Sequence, residues 1–179
     1  MACQDESRAE KGRAVVEDED LLLSVINSAP VLDGRPTDAL AGAGAAERVR
    51  ALGGRGTDAE RERLRRVRDA LHQLIRGTST DVGDLAALLE RARLRPAVTP
   101  AGVAWELEAA PDDELAVRTV LAWSRVITEL PGRLRACAND ECNLFLVDHS
   151  RPGTARWCSM AVCGNRMKAR THARKRQLG

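Results

Sequence analysis

Four cysteines near the C-terminus constrain the fold more than any other feature of this sequence. Cys137, Cys142, Cys158 and Cys163 follow the spacing C-x4-C-x15-C-x4-C. Two close pairs of thiols match the tetrahedral ligand set that Zn²⁺ takes in structural sites. A region this short, with few large apolar side chains, cannot build a self-sufficient core, whereas metal binding contributes about 10–16 kcal/mol to such modules. We therefore predict one structural zinc ion per chain.

Other uses of the four thiols stay open at this point. An iron–sulfur cluster also takes four cysteines, and a zinc-thiolate group can act as a redox switch. His149 or His172 could replace one cysteine, although the paired spacing makes this unnecessary. Four protein ligands leave no open position for an activated water, and the sequence shows no nucleophile–base pair or phosphate loop. We expect a protein that is not an enzyme, and we assign no role to Cys3.

The start of the chain bears on its compartment. Its first 20 residues alternate charges where a secretory signal needs an apolar stretch. No apolar run approaches the length of a membrane span. We expect a cytoplasmic protein without a membrane partner, and in a reducing compartment clustered cysteines more often bind metal than form disulfides.

Around the cysteines the sequence predicts a treble-clef-like finger. Residues 144–147 form the first strand of a hairpin, residues 149–153 its turn, and residues 155–157 lead back to the metal. The chain then becomes helical after Cys158, so that Cys163 lies in the first turn of the last helix.

Charge is distributed unevenly along the chain. Residues 133–179 contain 10 Lys/Arg and 3 Asp/Glu, a formal charge of +7, whereas residues 1–132 carry a formal charge of −5. A cationic ridge with a step of four residues runs along the last helix, as DNA phosphates require. The alternative is a solvated helix end whose cations the dipole favours, which does not explain the absence of acids after Asp148. The candidate DNA-binding residues are Arg166, Lys168, Arg170, Arg174, Lys175 and Arg176.

The preceding chain is predicted to be mainly α-helical with a small β-hairpin. After a flexible leader, 1–16, the helical domain spans 17–132 and ends at Pro131-Gly132, with a core separate from that of the finger at 133–179. Periodicity and breakers place the elements. We predict helices from Glu17, over 37–52 (weakened by Gly42 and Gly44), from a capping box at Thr57 and Glu60, over 78–94 (ended by Pro96) and over 111–130, and a hairpin over 97–109.

Five arginines on the third helix have two interpretations, a basic binding surface or a solvated helix face. We favour the solvated face, because Arg outnumbers Lys 25 to 3 and is the default surface cation of this chain. These residues are Arg61, Arg63, Arg65, Arg66 and Arg68. His72 lies beside the apolar stripe of this helix and has no evident catalytic partner. With only four aromatic residues, a base-stacking platform for single strands is hard to build.

The segment CANDEC…LFLVDHSRPGTARWCSMAVCGNRMKAR closely resembles the CGNR zinc-finger family, whose tetrapeptide stands here at residues 163–166. The preceding chain is similar to the ABATE domain, a stress-induced regulator region. That resemblance rests on DEDLLLSVINSAPVLDGRPTDALA and on the helix–hairpin–helix order. The family has an Asp-Phe-Val-Asn-Thr run where this chain has Ser24-Val25-Ile26-Asn27-Ser28.

The resemblance implies bacterial transcription control with zinc-dependent DNA binding. We expect a DNA-binding transcriptional regulator at the nucleoid, with double-stranded DNA as partner. RNA polymerase, another regulator or a second copy of the chain could assist it. Residues 17–132 would sense, dimerise or contact the transcription machinery, with an effector that stays unknown. The alternative is a zinc-stabilised protein-interaction adaptor, or a zinc-thiolate redox sensor, without direct DNA binding.

Overall fold

The computed structural model describes residues 18–32 and 34–177, without the side chains of Lys175 and Gln177. The predicted leader at 1–16 and Cys3 lie outside this part. Helix α1 spans residues 18–26. The remaining elements are, in chain order, β1 Val31–Leu32, β2 Arg35–Pro36, α2 Ala45–Ala51, α3 Asp58–Arg76, α4 Gly83–Leu89, β3 Arg93–Thr99, β4 Gly102–Glu108, α5 Glu114–Glu129, β5 Leu134–Ala136, β6 Phe145–Val147, a π-helical turn Met160–Gly164 and α6 Asn165–Gln177.

The described chain is mainly helical with three antiparallel hairpins, β1–β2, β3–β4 and β5–β6. Helices α3 and α5 pack against each other at the centre, because each carries an apolar stripe at helical spacing. The core takes Leu22, Val25 and Ile26 from α1, Leu64, Val67 and Leu71 from α3, and Leu115, Ala116, Val120, Ala122 and Val126 from α5. None of the helices in the described residues is long and apolar enough to cross a lipid bilayer.

Half of the predicted capping box at the start of α3 is present. The Thr57 hydroxyl accepts a hydrogen bond from the Glu60 amide at 3.1 Å, as expected. The buried Glu60 carboxylate, however, accepts from the amides of Arg55 and Gly56, both at 2.7 Å, and not from Thr57. It thereby ties the preceding loop to the helix. Gly56 is required there, since its φ is +77° and a Cβ would lie 2.6 Å from the Ala46 carbonyl oxygen.

Two predicted helices are shorter in the structure. The one expected over 37–52 is helical only from Ala45, because Gly42 and Gly44 adopt φ values of +74° and +79°. The one expected over 78–94 is confined to α4. Strand β3 follows it and runs through Pro96, which therefore does not end a helix. The predicted hairpin is confirmed but begins at residue 93.

The arginines of α3 do not form a solvated face as a group. Arg66 is exposed, but Arg68 is buried and donates to Asp38 at 2.8 Å and to Ser28 at 3.2 Å. These bonds hold α3 to the segment after α1. Burial acts to raise the pKa of Asp38, but the bond from Arg68, the bond from the Leu40 amide and the charges of Arg68 and Arg65 together outweigh it and lower that pKa. Each of the five arginines is paired with a carboxylate, which weakens the interpretation as a basic binding surface.

The core of the helices is not separate from the C-terminal region, and this expectation was wrong. Phe145 of β6 is the largest fully buried side chain in the described residues and belongs to the same core cluster as the helices. Its ring lies 4.6 Å from that of His72, and the Arg76 guanidinium lies 4.9 Å above it. The predicted limits, 17–132 and 133–179, stay a prediction. The two parts are joined by one continuous core.

Candidate metal centre

The first cysteine pair lies in a loop that a short hairpin closes. Strands β5 and β6 pair antiparallel, with Ala136 opposite Phe145. The Cys137 amide then donates to the Leu144 carbonyl at 2.8 Å, and the Cys142 amide donates to the Asn139 carbonyl at 2.8 Å. The loop is therefore a tight turn at the end of a hairpin, which directs both thiols to the same side.

This hairpin differs from the predicted one. Residues 145–147 form a strand as expected, but they pair with β5 and not with residues 155–157, which form no strand. The second segment is instead held by one backbone bond, in which the Ala138 amide donates to the Arg156 carbonyl at 2.8 Å. A strand as short as 134–136 carries no periodicity of its own, so the pairing was missed. The treble-clef likeness stays a prediction.

Asp148 organises the loop between the two cysteine pairs. Its buried carboxylate accepts from the amide and hydroxyl of Ser150, at 2.9 and 2.6 Å, and from the Ala155 amide at 3.0 Å. The Ser150 hydroxyl, followed by these amides and the nearby Arg135, lowers the pKa of Asp148 despite its burial. The carboxylate therefore stays charged at neutral pH and holds the loop that leads to the second pair.

The second cysteine pair flanks the start of the last helix, with Cys158 just before the capping residue Ser159 and Cys163 in the turn itself. Ser159 caps the turn, because its hydroxyl accepts from the Val162 amide and its carbonyl from the Gly164 amide at 3.0 Å. Cys163 lies within this π-helical turn, as predicted for the first turn of the helix. Gly164 is packed closely, since a Cβ there would lie 2.8 Å from the Met160 sulfur and 3.3 Å from the Trp157 ring.

The four sulfur atoms fit a tetrahedral zinc ion. All four lie within 4.8 Å of one another, and the Cys142–Cys158 and Cys158–Cys163 Sγ distances are both 3.7 Å. A tetrahedron with Zn–S bonds of about 2.3 Å has edges of about 3.8 Å. The same distances are far longer than a disulfide bond of about 2.05 Å, and all four cysteines are free.

The electrostatics of the cluster also favour a cation. Burial raises the pKa values of the Cys142 and Cys158 thiols. The neighbouring cysteines raise the pKa of Cys158 further, whereas at Cys142 the Leu144 amide and the bond with Cys158 act against burial. At Cys163 burial acts in the same direction, but the Asn139 amide and the other cysteines lower its pKa. Asn139 is fully buried and its Nδ2 lies 3.5 Å from the Cys163 sulfur. Crowded thiolates repel one another unless a cation such as Zn²⁺ binds all of them.

Residues 133–176 match the family model of the CGNR zinc finger. No curated protein matches the chain. Together with the sulfur geometry, the match supports zinc binding by the four thiols. The two histidines considered as replacements lie elsewhere. His149 contacts the carboxylate of Glu19 at 2.8 Å, and His172 is exposed on α6.

Two asparagines join the finger to the helical body. The Asn27 side chain accepts from the Phe145 amide at 2.8 Å and donates to its carbonyl at 3.1 Å, so that it pairs with the outer edge of β6 as a further strand would. Asn143 does the same in the opposite direction, donating to the Ala29 carbonyl and accepting from the Val31 amide at 3.0 Å. The spacing of the residues gave no sign of these contacts.

The predicted DNA-binding residues lie on an exposed helix. Among the side chains described from residue 165 to 176, Met167 is partly buried and all others are exposed. Arg170 contacts the carboxylate of Glu141, in the loop of the first cysteine pair. The described residues contain no carboxylate partner for Arg166, Lys168, Arg174 or Arg176. The side chain of Lys175 lies outside the described part.

Proposed function

We propose that this protein binds double-stranded DNA through α6 and regulates transcription. The exposure of α6 carries the proposal. A helix that is polar on every side has no apolar face to bury, so it gains little stability from packing against the rest of the protein. Here it extends from the proposed metal site, and its described cationic side chains, Arg166, Lys168, Arg170, Arg174 and Arg176, are exposed to solvent. A partner with a dense row of negative charges would complete it, and the phosphates of duplex DNA are such a row.

The charge of the finger supports the same proposal. Residues 133–179 carry a formal charge of +7, and four thiolates with one Zn²⁺ contribute about −2, which leaves a net positive module. The negative charge is concentrated at the metal, at the base of α6. The helix leads away from it. The proposed zinc ion cross-links the two cysteine pairs and so fixes the direction in which α6 leaves the finger.

A groove beside α6 adds candidate contacts that the sequence did not single out. Arg156 lies over the ring of Trp157, with 5.3 Å from its guanidinium carbon to the ring centroid. Lys168, Thr171 and His172 of α6 line the same groove. Arg156 therefore extends the cationic surface from the helix to the loop that precedes Cys158. A phosphate could be held by both the loop and the helix, which favours a duplex backbone lying along α6.

Salt-dependent binding of the zinc-loaded full chain to a random-sequence duplex tests the proposal, measured by fluorescence anisotropy. The slope of log affinity against log salt decreases by about 0.9 for each phosphate that the protein no longer neutralises, so Lys168→Ala and Arg174→Ala should each reduce it by that amount. Arg66→Ala, an exposed arginine on α3, is the matched control and should leave the slope unchanged. An unchanged slope in the two α6 variants, with zinc retained, would favour the adaptor or redox-sensor alternatives.

Glu141 supplies a second arm of this experiment. Its carboxylate contacts Arg170 and competes with phosphate for that guanidinium. Glu141→Gln should therefore strengthen binding and make the salt dependence steeper, the opposite of the effect of Arg174→Ala. Because Glu141 and Arg170 are both exposed, loss of their ion pair should lower the free energy of unfolding by only about 0–1 kcal/mol. Weaker binding of Glu141→Gln would mean that Arg170 serves to position α6.

The remaining parts of the proposal concern the whole chain. We assign no enzymatic role to the metal, since four thiols account for every position of a tetrahedral ion. The helical body would receive an effector, a second copy of the chain or RNA polymerase, and the protein would act in the cytoplasm at the nucleoid. A genome-wide occupancy map of the tagged protein tests this part, with Arg174→Ala as the comparison. Reproducible sites that this variant loses are the expected result.

A further inference from the structure

The β3–β4 ribbon separates its side chains into two unlike faces. The register places Leu94 opposite Leu107, Pro96 opposite Trp105 and Val98 opposite Val103, and the alternation of a strand puts all six on one face. The other face is polar and electrically balanced. There Arg95 donates to Glu106 and to Glu108, both at 2.7 Å.

The apolar face is covered only at the base of the ribbon. Leu94 and Leu107 line a pocket together with Val117 and Leu121 of α5. Towards the turn the face is open, since Val98 is 89% exposed, Trp105 64% and Val103 60%. Two strands alone are marginally stable in water. A ribbon with this exposed apolar face therefore gains stability from a partner.

The two edges of the ribbon differ in what they offer. Pro96 has no amide hydrogen and cannot donate to β4. It therefore forms a non-hydrogen-bonded pair with Trp105, in which the backbone groups of both residues point away from the other strand. Because strand residues alternate, the backbone groups of Leu94 and Val98 on β3 also point outward. On β4 the same holds for Val103, Trp105 and Leu107. The outer edge of β3 is therefore interrupted by a proline. The outer edge of β4 presents three consecutive free amides and carbonyls, and nothing in the described residues bonds to them.

We propose that β4 pairs antiparallel with β4 of a second copy, with the two-fold axis at Trp105. An antiparallel edge is self-complementary, as a two-fold interface requires. This register stacks the two Trp105 side chains and places Val103 against Leu107 of the other copy. Glu106 then lies opposite Ala104 and Glu108 opposite Gly102, so that no carboxylates face each other. The result is a four-stranded sheet with one continuous apolar face.

The charge pattern favours a second copy over a partner of another kind. The polar face carries two arginines, Arg93 and Arg95, and two glutamates, Glu106 and Glu108, so its formal charge is zero and it offers no net charge to an acidic or basic protein. The edge of β4 matches itself without placing two carboxylates directly opposite each other, and each Glu106 keeps Arg95 of its own ribbon as partner. The interface does not involve α6 or the zinc ligands and is independent of the proposed DNA binding.

Sedimentation velocity of the zinc-loaded full chain, from about 1 to 100 μM, tests the proposal. We expect a monomer–dimer equilibrium. Val103→Pro removes an outward amide of β4 and keeps the hairpin bonds, and it should weaken dimerisation at least about tenfold. Val98→Pro, on the same rung of β3, is the matched control and should change it less than about threefold. A monomer at every concentration, or equal effects of both variants, would overturn the proposal.

Amide hydrogen exchange of the unmutated protein provides a measurement that does not depend on how the proline variants fold. At high concentration the amides of Trp105 and Leu107 should exchange more slowly than at low concentration, whereas the amides of Leu94 and Val98 should not change. A dimer in which the β4 amides remain unprotected would place the interface elsewhere and refute the assignment of this edge.

Discussion

Asn27 offers the sharpest test of how the finger is held. Its amide group satisfies both backbone groups of Phe145 on the outer edge of β6, at 2.8 and 3.1 Å. Asn27→Ala removes two hydrogen bonds and leaves two groups of a fully buried residue without partners. A buried unsatisfied group costs about 1–3 kcal/mol. Two such groups give about 2–6 kcal/mol, and single substitutions rarely cost more than about 4 kcal/mol. We therefore expect the free energy of unfolding to fall by about 2–4 kcal/mol, with a decrease in Tm of about 5–15 °C.

Urea denaturation of the zinc-loaded protein measures this change, and two further variants make the result specific. Asn165→Ala removes an exposed asparagine whose side chain donates to the Ala161 carbonyl at 3.2 Å, and it should cost less than about 1 kcal/mol. Asn27→Asp keeps the acceptor for the Phe145 amide but sets a carboxylate against the Phe145 carbonyl, so it should be at least as damaging as Asn27→Ala. If Asn27→Ala matches the unmutated protein within about 0.5 kcal/mol, the clamp formed by Asn27 on Phe145 does not hold the finger.

Two further predictions concern the metal and pH. Purified protein should hold one zinc ion per chain. Cys142→Ser should lose this ion and also lower the Tm of the helices, because Phe145 belongs to their core. Metal analysis and thermal melting followed at 222 nm test this, and retained zinc or visible iron–sulfur absorbance would contradict it. His72 donates to the Ile26 carbonyl at 2.6 Å, and burial, followed by the charges of Arg68 and Arg76, lowers its pKa. Because folding lowers the pKa of His72, its contribution to stability is complete above the pKa of the unfolded state, about 6.5. That contribution is lost as the pH falls through the pKa of the folded state. His72→Gln should therefore flatten the fall of Tm between about pH 7 and 5, and parallel curves for the two proteins would refute this role.

The site was more predictable than the body because its ligands are close in sequence. The spacing of four cysteines is sufficient to expect a shared ion, and the structure brings their sulfur atoms together. Long helices with clear apolar stripes, α3 and α5, were likewise placed within a few residues. The predicted bounds of short elements were wrong where a glycine or a proline is compatible with more than one kind of structure. Pro96 ends helices in general but is tolerated in a ribbon on an outward-facing rung.

Contacts between residues far apart in sequence could not be predicted from spacing. Asn27 and Phe145 are separated by 118 positions, and neither carries a pattern that points to the other. Arg68 was expected on the surface because arginine is abundant here, but three neighbouring carboxylate and hydroxyl groups make its burial possible. In both cases polar groups of distant segments satisfy each other's hydrogen bonds, and burial then follows from the pairing and not from residue type.

If the four thiols bind zinc as we propose, the same contacts link zinc affinity to the stability of the helical body. Ala136, next to the first ligand, pairs with Phe145, and Phe145 completes the core of the body. A metal that binds only the folded state stabilises that state. Linkage is reciprocal, so a change that increases the population of the pre-formed site raises the apparent metal affinity by the same factor. Substitutions at Asn27 should thus weaken zinc binding without touching a thiol. We therefore expect the direction of α6, which begins two residues after Cys163, to depend on both the proposed metal and the clamp formed by Asn27 on Phe145.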